Sequence, residues 1–599
     1  MLPEVDFPAD PRLYLRLAGA ASQIPDQAAI RFGQSGQLRG DCYFNLFNLG
    51  KWQTRCGLGT LSLIVQGKGD FEVTIWQAGV DEQRQRLTVQ QVSCRPKQQP
   101  GGVEVAIALA PCVQAAVLYY DIRVLGTQGR ITALDWVTRQ APVRQPRLML
   151  SITTFRREAA VARTAARFES FIRQSPLATD IDMVIVDNGS SVHITESDKL
   201  RVIANENLGG AGGFARGLIE ARARGASHCL FMDDDAAIHM TSLERTWVFL
   251  AYATDPATAV AGAISSGSNP AILWENGAVF ASQCRPCYNG TDLRNPAAVI
   301  EMELETTAPP PQQHYGGWWF FAFPVDHAHH MPFPFFVRGD DISFSLANAF
   351  STVTLPGVMS FQDMGFSERE SLMTLYLDLR SHLAHHLSLP ALDIGRWRTA
   401  RIAAWFFARS LYSCHYETLA ALNQAVEDVL CGPDFFAANA DLITRRAQIA
   451  ALRDAEKWRD IGPTAARRTD RAHDSIRFAL ETPLQQRLMK LTMNGHLLPF
   501  FAAYGNRVTL GAQDRGAIRK ILGAARITYR DAAHAQSYTV HHDKARAFRQ
   551  SLRMVTNICR LLWRYNALKS SWTKGYATLT LGGFWQSRLG CGTSDTPNR

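Results

Sequence analysis

Between residues 148 and 235 short apolar runs alternate with segments of helical period, and no other feature restricts the fold as much. RLMLSITTF reads as a strand, REAAVARTAARFESFIRQ as a helix, DMVIVDNGS and LRVIAN as strands, GFARGLIEARARG as a helix and SHCLFMDDD as a further strand. Strands and helices in that rhythm predict a parallel sheet covered by helices. In such sheets ligands gather at the carboxyl ends of the strands. The polar motifs TTF, DNGS, NENLGG and DDD all fall there.

The chain continues well beyond this region on both sides. At 599 residues it is too long for one core, and 46% apolar with 20% charged residues describes a globular protein. From about 42 to 145 the segments CYFNLFNLGKW, TLSLIVQG, FEVTIWQAG, VEVAIALA and AAVLYYDIRVLG read as strands separated by Gly, Pro and polar turns. That spacing suggests an antiparallel β-sandwich. From about 366 to the end the pattern is helical. The expected architecture is therefore multidomain α/β: a β-sandwich over 1–145, a Rossmann-like domain over 146–388 and a helical region over 389–599.

Several broad classes are set aside at this stage. No run of 18 or more apolar residues is present, and the start MLPEVDFPADPRLYLRL lacks the basic and apolar regions of a signal peptide, so the chain is expected in the cytosol. The 11 cysteines form no framework, and the one C-x-x-C pair, Cys284 with Cys287, has no second pair at zinc-site spacing, so reduced thiols are expected. The net charge of +9 is modest, and no recognised nucleic-acid module accompanies it. Its placement is more informative. Residues 543–574, DKARAFRQSLRMVTNICRLLWRYNALKSSWTK, mix basic and apolar residues at helical spacing. Such a helix either lies on an anionic membrane surface or packs on its own domain with a solvated basic face.

The chemistry is concentrated at the strand ends. Asp233, Asp234 and Asp235 crowd three like charges, which either water screens in a turn or a hard cation such as Mg²⁺ or Mn²⁺ neutralises. Asn205-Glu206-Asn207-Leu208-Gly209-Gly210-Ala211-Gly212-Gly213 precedes a helix, where glycines admit close approach of a ligand and the helix N-terminus favours anions. A plain flexible turn is the alternative. The stretch has neither the Gly-Lys-Ser/Thr of a P-loop nor the Rossmann glycine spacing.

Together these segments resemble the inverting, nucleotide-sugar-dependent glycosyltransferases of GT-A fold, and within them the bacterial galactofuranosyltransferases. TTFRRE resembles that family's T-F-N-R, VDNGS its V-D-N-G, NLGGAGGFARG its N-L-G-G-x-G-G-F-A-R-G, and FMDDDA its metal-binding D-D-D. YGGWWFFAFP is similar to Y-N-G-W-W, VRGDDISF to a W-D-D segment and YLDLRS to a Y-Y-x-x-R-N. The resemblance implies that Phe155, Arg157, Asp187, Asn207, Gly209, Gly210 and Asp234 bind the nucleotide sugar. It also implies that Asp233 and Asp235 hold Mn²⁺ or Mg²⁺. It assigns Asp341 as the general base with Asp340 beside it, and Trp318, Trp319 and Glu275 to the acceptor site. Each has a plainer alternative: Asp340 as a helix cap, the Trp pair as core and Glu275 as a surface residue.

Two departures from the family pattern stand out. Where a histidine metal ligand is expected, LPGVMSFQDM places Gln362 with Asp363 next to it, and His382, His385 and His386 read as solvated helix residues. The final Asn of Y-Y-x-x-R-N is Ser381. The activity implied is metal-dependent transfer of a sugar, foremost galactofuranose from its uridine diphosphate, to a hydroxyl of a lipid-linked or cell-surface glycan. Rhamnose from its deoxythymidine diphosphate is the alternative donor, and a glycan-binding scaffold without catalysis the alternative class. The implied location is cytoplasmic, with the basic helix as a peripheral hold on the inner face of the membrane. The oligomeric state is left open, a homo-oligomer included.

Overall fold

The computed structural model describes residues 10–24, 27–80, 84–110, 115–362, 370–461, 483–531 and 535–590. Two compact units emerge, one made of 1–206, 213–329 and 344–363 and the other of 207–212, 330–343 and 364–599. These cuts differ from the expected boundaries at 145/146 and 388/389. The antiparallel strands and the parallel strands share the first unit, while two short inserts, 207–212 and 330–343, belong with the helical part.

In the first unit, strand Leu61–Gly79 organises the N-terminal region. Its first half pairs with Gln128–Val137 and Val103–Ile107, and its second half with Ala116–Val124 and Arg84–Cys94, all antiparallel. The sequence reads TLSLIVQG and FEVTIWQAG as separate strands with a turn between; instead the backbone runs straight through. Gly67 makes this continuity work. A β-carbon there would stand 2.0 Å from the Arg130 carbonyl oxygen, and the register against the facing strand shifts between Gln66 and Gly67. Glycine in a strand commonly marks such a close approach.

The segment CYFNLFNLGKW is a second correction, since it ends in a helix, Leu49–Cys56, rather than forming a strand. Asn48 caps that helix by accepting the Lys51 N–H at 3.0 Å, and local capping outweighs the apolar run that precedes it. The helix carries Lys51 inward. Its Nζ, 1% exposed, donates to Glu303 Oε2 and to the Thr354 carbonyl, both at 2.8 Å.

The eight-strand sheet runs in the order Leu200–Ala204, Ile181–Asp187, Leu148–Thr154, His228–Asp233, Phe321–Pro324, Thr258–Ser266, Ser351–Gln362, Ala236–Ile238. The first four strands are parallel. Phe321–Pro324 enters antiparallel, so the sheet is mixed. Leu148, Met149, Leu150, Ser151 and Ile152 are buried on both faces of the strand, as helix-covered parallel sheets require. Helix Glu158–Gln174 contributes Val161, Ala165, Phe168 and Ile172 at helical spacing.

The second unit holds helices Leu372–Ser388, Arg396–Tyr412, Tyr416–Cys431 and Lys544–Thr580, the last 37 residues long. It is not wholly helical as expected. Strands Arg459–Asp460, Gln536–His541, Ala524–Arg530 and Asn506–Gly511 form a four-stranded sheet. The period-2 patterns ARITYR and SYTVH carried this signal. No helix among the described residues is long and apolar enough to cross a membrane.

Candidate active site

Strand Leu148–Thr154 and strand His228–Asp233 run parallel in register, Thr153 opposite Asp233, so the residues just beyond both ends meet. Thr154 Oγ1 donates to Asp234 Oδ2 at 2.9 Å, and the Phe155 N–H reaches the same oxygen at 3.3 Å. Arg157 lies 3.7 Å from Asp234 and 3.3 Å from Asp235. Ala236 pairs with Gln362 in the last strand pair, which brings the Gln362 amide to donate to Asp235 Oδ1 at 3.1 Å. Burial pushes the Asp234 carboxyl above its usual range, and Thr154 and Arg157 pull it partly back. Phe155, 37% exposed, offers a ring at the strand end.

Every donor in this cluster is an oxygen, which suits a hard cation. Gln362 is buried, and its Oε1 has no hydrogen-bond partner among the described residues. A buried acceptor left in that condition calls for a cation or donor. No group of three or more His, Cys, Asp and Glu suited to a metal occurs among the described residues. Mg²⁺-type sites, however, commonly use one or two carboxylates with substrate phosphates. Asp233, Asp235 and the Gln362 amide oxygen fit that pattern. Asp363 lies outside the described residues.

Asp187 and the glycines have local tasks. Asp187 Oδ1 accepts the Gly189 N–H at 2.8 Å, while Oδ2 accepts those of Ser191 and Val192 at 2.6 and 2.7 Å. Its carboxylate thus fastens its own loop. In helix Gly209–Ala223, a β-carbon on Gly213 would stand 2.1 Å from Thr153 Cγ2, and one on Gly217 1.9 Å from Ser151 Oγ. These two glycines let the helix lie close on the central strand rather than cradle a ligand. Gly210 is the second residue of the helix. Asn207 Oδ1 accepts the Gly209 N–H at 3.2 Å, and Gly209, at φ +69°, leaves no room for a side chain against the Phe336 carbonyl.

The acceptor-site expectations need correction. Trp318 is packed edge-on against Phe214, Phe231 and Phe344, with centroids 4.7 to 5.7 Å away, which is the core alternative. Trp319 is 7% exposed and donates its Nε1–H to the Gly262 carbonyl at 2.9 Å. Glu275 is buried in strand Asn269–Glu275, not on the surface.

The second pair of aspartates belongs to the second unit, at the start of helix Asp340–Ala347. Gly339, not Asp340, occupies the cap position: at φ +93° its carbonyl accepts the Ser343 N–H, so Asp340 is the first helical residue. Asp341 Oδ1 accepts the Ile342 N–H at 2.8 Å. Burial raises both carboxyls, that of Asp340 further because the Asp341 charge adds to it, while Arg338 and backbone N–H groups hold Asp341 lower. One proton is therefore retained on Asp340 while Asp341 is ionised.

The loop before this pair is strained, with Phe336 at φ +73° and Arg338 at +69°. Such conformations persist only where the surroundings over-determine them. Helix Leu372–Ser388 supplies that restraint through the segment YLDLRS. Asp378 takes Arg338 Nη1 at 3.0 and 3.1 Å, and buried Arg380 donates to the Phe335 carbonyl. Ser381 and His385 press against Gly339, where a β-carbon would stand 2.7 to 2.8 Å from them. His382, His385 and His386 are thus buried rather than solvated, and burial lowers all three pKa values. Nothing in the sequence links Arg338 to Asp378, 40 residues away.

Fold and acidic strand end together define a nucleotide-sugar transferase of GT-A-like fold, and the chain carries a glycosyl transferase family 2 domain, whose family model matches residues 150–285. It is similar to the galactofuranosyltransferase GlfT2 of Mycolicibacterium smegmatis, 25% identical over 470 residues that cover 72% of this chain and 71% of that one. GlfT2 of Mycobacterium tuberculosis is 23% identical over 476 residues, 72% of each chain. A mannosyltransferase of Pyrobaculum calidifontis, solved in complex with GDP-mannose and Mn²⁺, aligns with a TM-score of 0.28 at 16% identity over 52% of this chain and 83% of its own. That likeness is too slight to carry an argument.

Proposed function

We propose that the protein is a metal-dependent inverting glycosyltransferase that moves galactofuranose from its uridine diphosphate to a hydroxyl of a lipid-linked or cell-surface glycan. The observation that carries this reading is the meeting of Asp234, Asp235, Arg157 and Gln362 beyond the strand ends of a family 2 domain. The similarity to two galactofuranosyltransferases supports the choice of sugar. Mn²⁺ or Mg²⁺, held by Asp233, Asp235 and the Gln362 amide oxygen, supplies positive charge against a departing nucleoside diphosphate.

The chain's own residues take the remaining parts. Phe155 stacks on the base, and Arg157 exchanges its carboxylate partners for phosphate. Asp341, ionised beside a protonated Asp340, takes the proton of the attacking hydroxyl as a single displacement inverts the anomeric carbon.

The test is a panel of nucleotide sugars with Mn²⁺, scored for diphosphate release in the presence of crude glycolipid. Turnover with UDP-galactofuranose alone is expected. Turnover confined to dTDP-rhamnose overturns the sugar. No turnover with any donor, together with no thermal shift on adding uridine or thymidine diphosphate and Mn²⁺, overturns the transferase reading in favour of a glycan-binding scaffold. A ligand at a hundred times its Kd stabilises by about 2.7 kcal/mol, a shift easily read.

A further inference from the structure

The second unit is unusually apolar on its outside. Of the large hydrophobic side chains that are exposed among the described residues, six lie in the first unit and fourteen in the second. They fall into an order set by the helices. On Lys544–Thr580, the residues Phe548, Leu552, Val555 and Trp563 recur at helical spacing, 72%, 58%, 57% and 88% exposed. Ala547, Met554, Leu561, Leu568 and Trp572 form the opposite, buried side. On Arg396–Tyr412, Trp397 and Trp405 are exposed while Ala400, Ala403 and Phe407 are buried.

These two helices are neighbours. Each packs against Leu372–Ser388 and Tyr416–Cys431, and they pack against each other. Tyr565 and Lys569 reach Asp393, at the entry to the shorter helix, while Tyr412 at its exit bonds the Lys490 carbonyl at 2.6 Å. Lys544 donates to the Leu498 carbonyl. Helix Pro483–Leu491 and its following loop, with Leu484, Leu491 and Phe500 exposed by more than 70%, therefore adjoin the same side. Two helices covering the same inner pair must turn their solvent faces outward together.

The charge on these elements has one sign. Lys544–Thr580 carries eight Lys and Arg and no Asp or Glu, Arg396–Tyr412 four and none, and Pro483–Leu491 two and none. A second copy of the chain would bring like charges against like, so self-association through this face is disfavoured. An anionic lipid surface is complementary in both respects. It attracts the basic residues and accepts the apolar ones at headgroup depth, where tryptophan is at home.

We propose that the second unit docks on anionic bilayers through one composite face built from Arg396–Tyr412, Pro483–Leu491 and Lys544–Thr580. The long helix is thus both packed on its own unit and outward-facing. The proposal rests on this surface alone and stands or falls apart from the transferase reading, because vesicle binding needs no turnover.

Flotation of the full chain with vesicles tests it. Vesicles of phosphatidylcholine with about 30 mol % phosphatidylglycerol should retain the protein at low salt, and pure phosphatidylcholine should not. Raising NaCl to about 0.5 M should weaken retention, since the screening length falls below about 5 Å. W397A and W563A should each cost about tenfold in partition, as expected for one indole leaving an apolar phase. R549E with R560E should cost about fivefold per charge removed. All four side chains are exposed, so unchanged melting temperatures are expected and verify the fold. Equal binding to neutral and anionic vesicles, or variants that bind like the parent, overturns the proposal. So does a dimer in sedimentation that W563A dissolves, with no vesicle binding, since the face would then belong to a second copy.

Discussion

Asp341 and Gln362 are the residues on which the proposed chemistry turns. Asp341→Asn keeps shape and removes the base, so kcat should fall by about 10²–10⁴ with melting temperature unchanged. Near-normal turnover would remove Asp341 from the role. Because burial raises its carboxyl, and the group must be ionised to accept a proton, activity should be present above the raised pKa and lost as pH falls through it. The acid limb of kcat/KM should therefore lie above the ordinary aspartate value of about 4. Asp378→Asn, which releases Arg338, should move that limb upward, since the Arg338 charge is one of the influences holding Asp341 down. An unmoved limb would make Asp378 merely structural. Gln362→Leu removes both the bond to Asp235 and the buried amide oxygen. The Mn²⁺ concentration giving half-maximal activity should rise by about 10–100-fold, the range seen when a ligand's support is lost.

At the scale of elements, the glycine helix shows how a motif read as ligand chemistry can also be packing. Gly217→Ala would place a methyl 1.9 Å from Ser151 Oγ on the central strand. Overpacking of that kind costs about 1–3 kcal/mol, measurable as a lower urea midpoint at unchanged slope. Gly210→Ala is the contrast. A loss of donor affinity there without loss of stability would show that the amides at the helix start serve the ligand. Helix Leu372–Ser388 offers the same lesson from the other side. YLDLRS resembles a family motif, and its residues act on the strained loop at 336–341 through Asp378, Arg380 and Ser381.

The first unit is joined across its whole length by a buried ion pair, Lys51 with Glu303, 252 residues apart in the chain. Lys51→Met alone leaves Glu303 buried and unpaired, and should destabilise by about 3–5 kcal/mol in chemical unfolding. The double variant with Glu303→Leu should recover most of that loss, because replacing both partners by apolar groups is often neutral. The sequence by itself determined the alternating strands and helices, the helix Lys544–Thr580, and the placement of DDD and TTF at strand ends, because period and local composition are properties of neighbouring residues. Tertiary structure alone decided that GKG continues a strand, that Trp318 is core, that three histidines are buried and that Gln362 meets Asp235. Each of those depends on which distant segment fills the space beside the residue, and spacing along the chain does not carry that information.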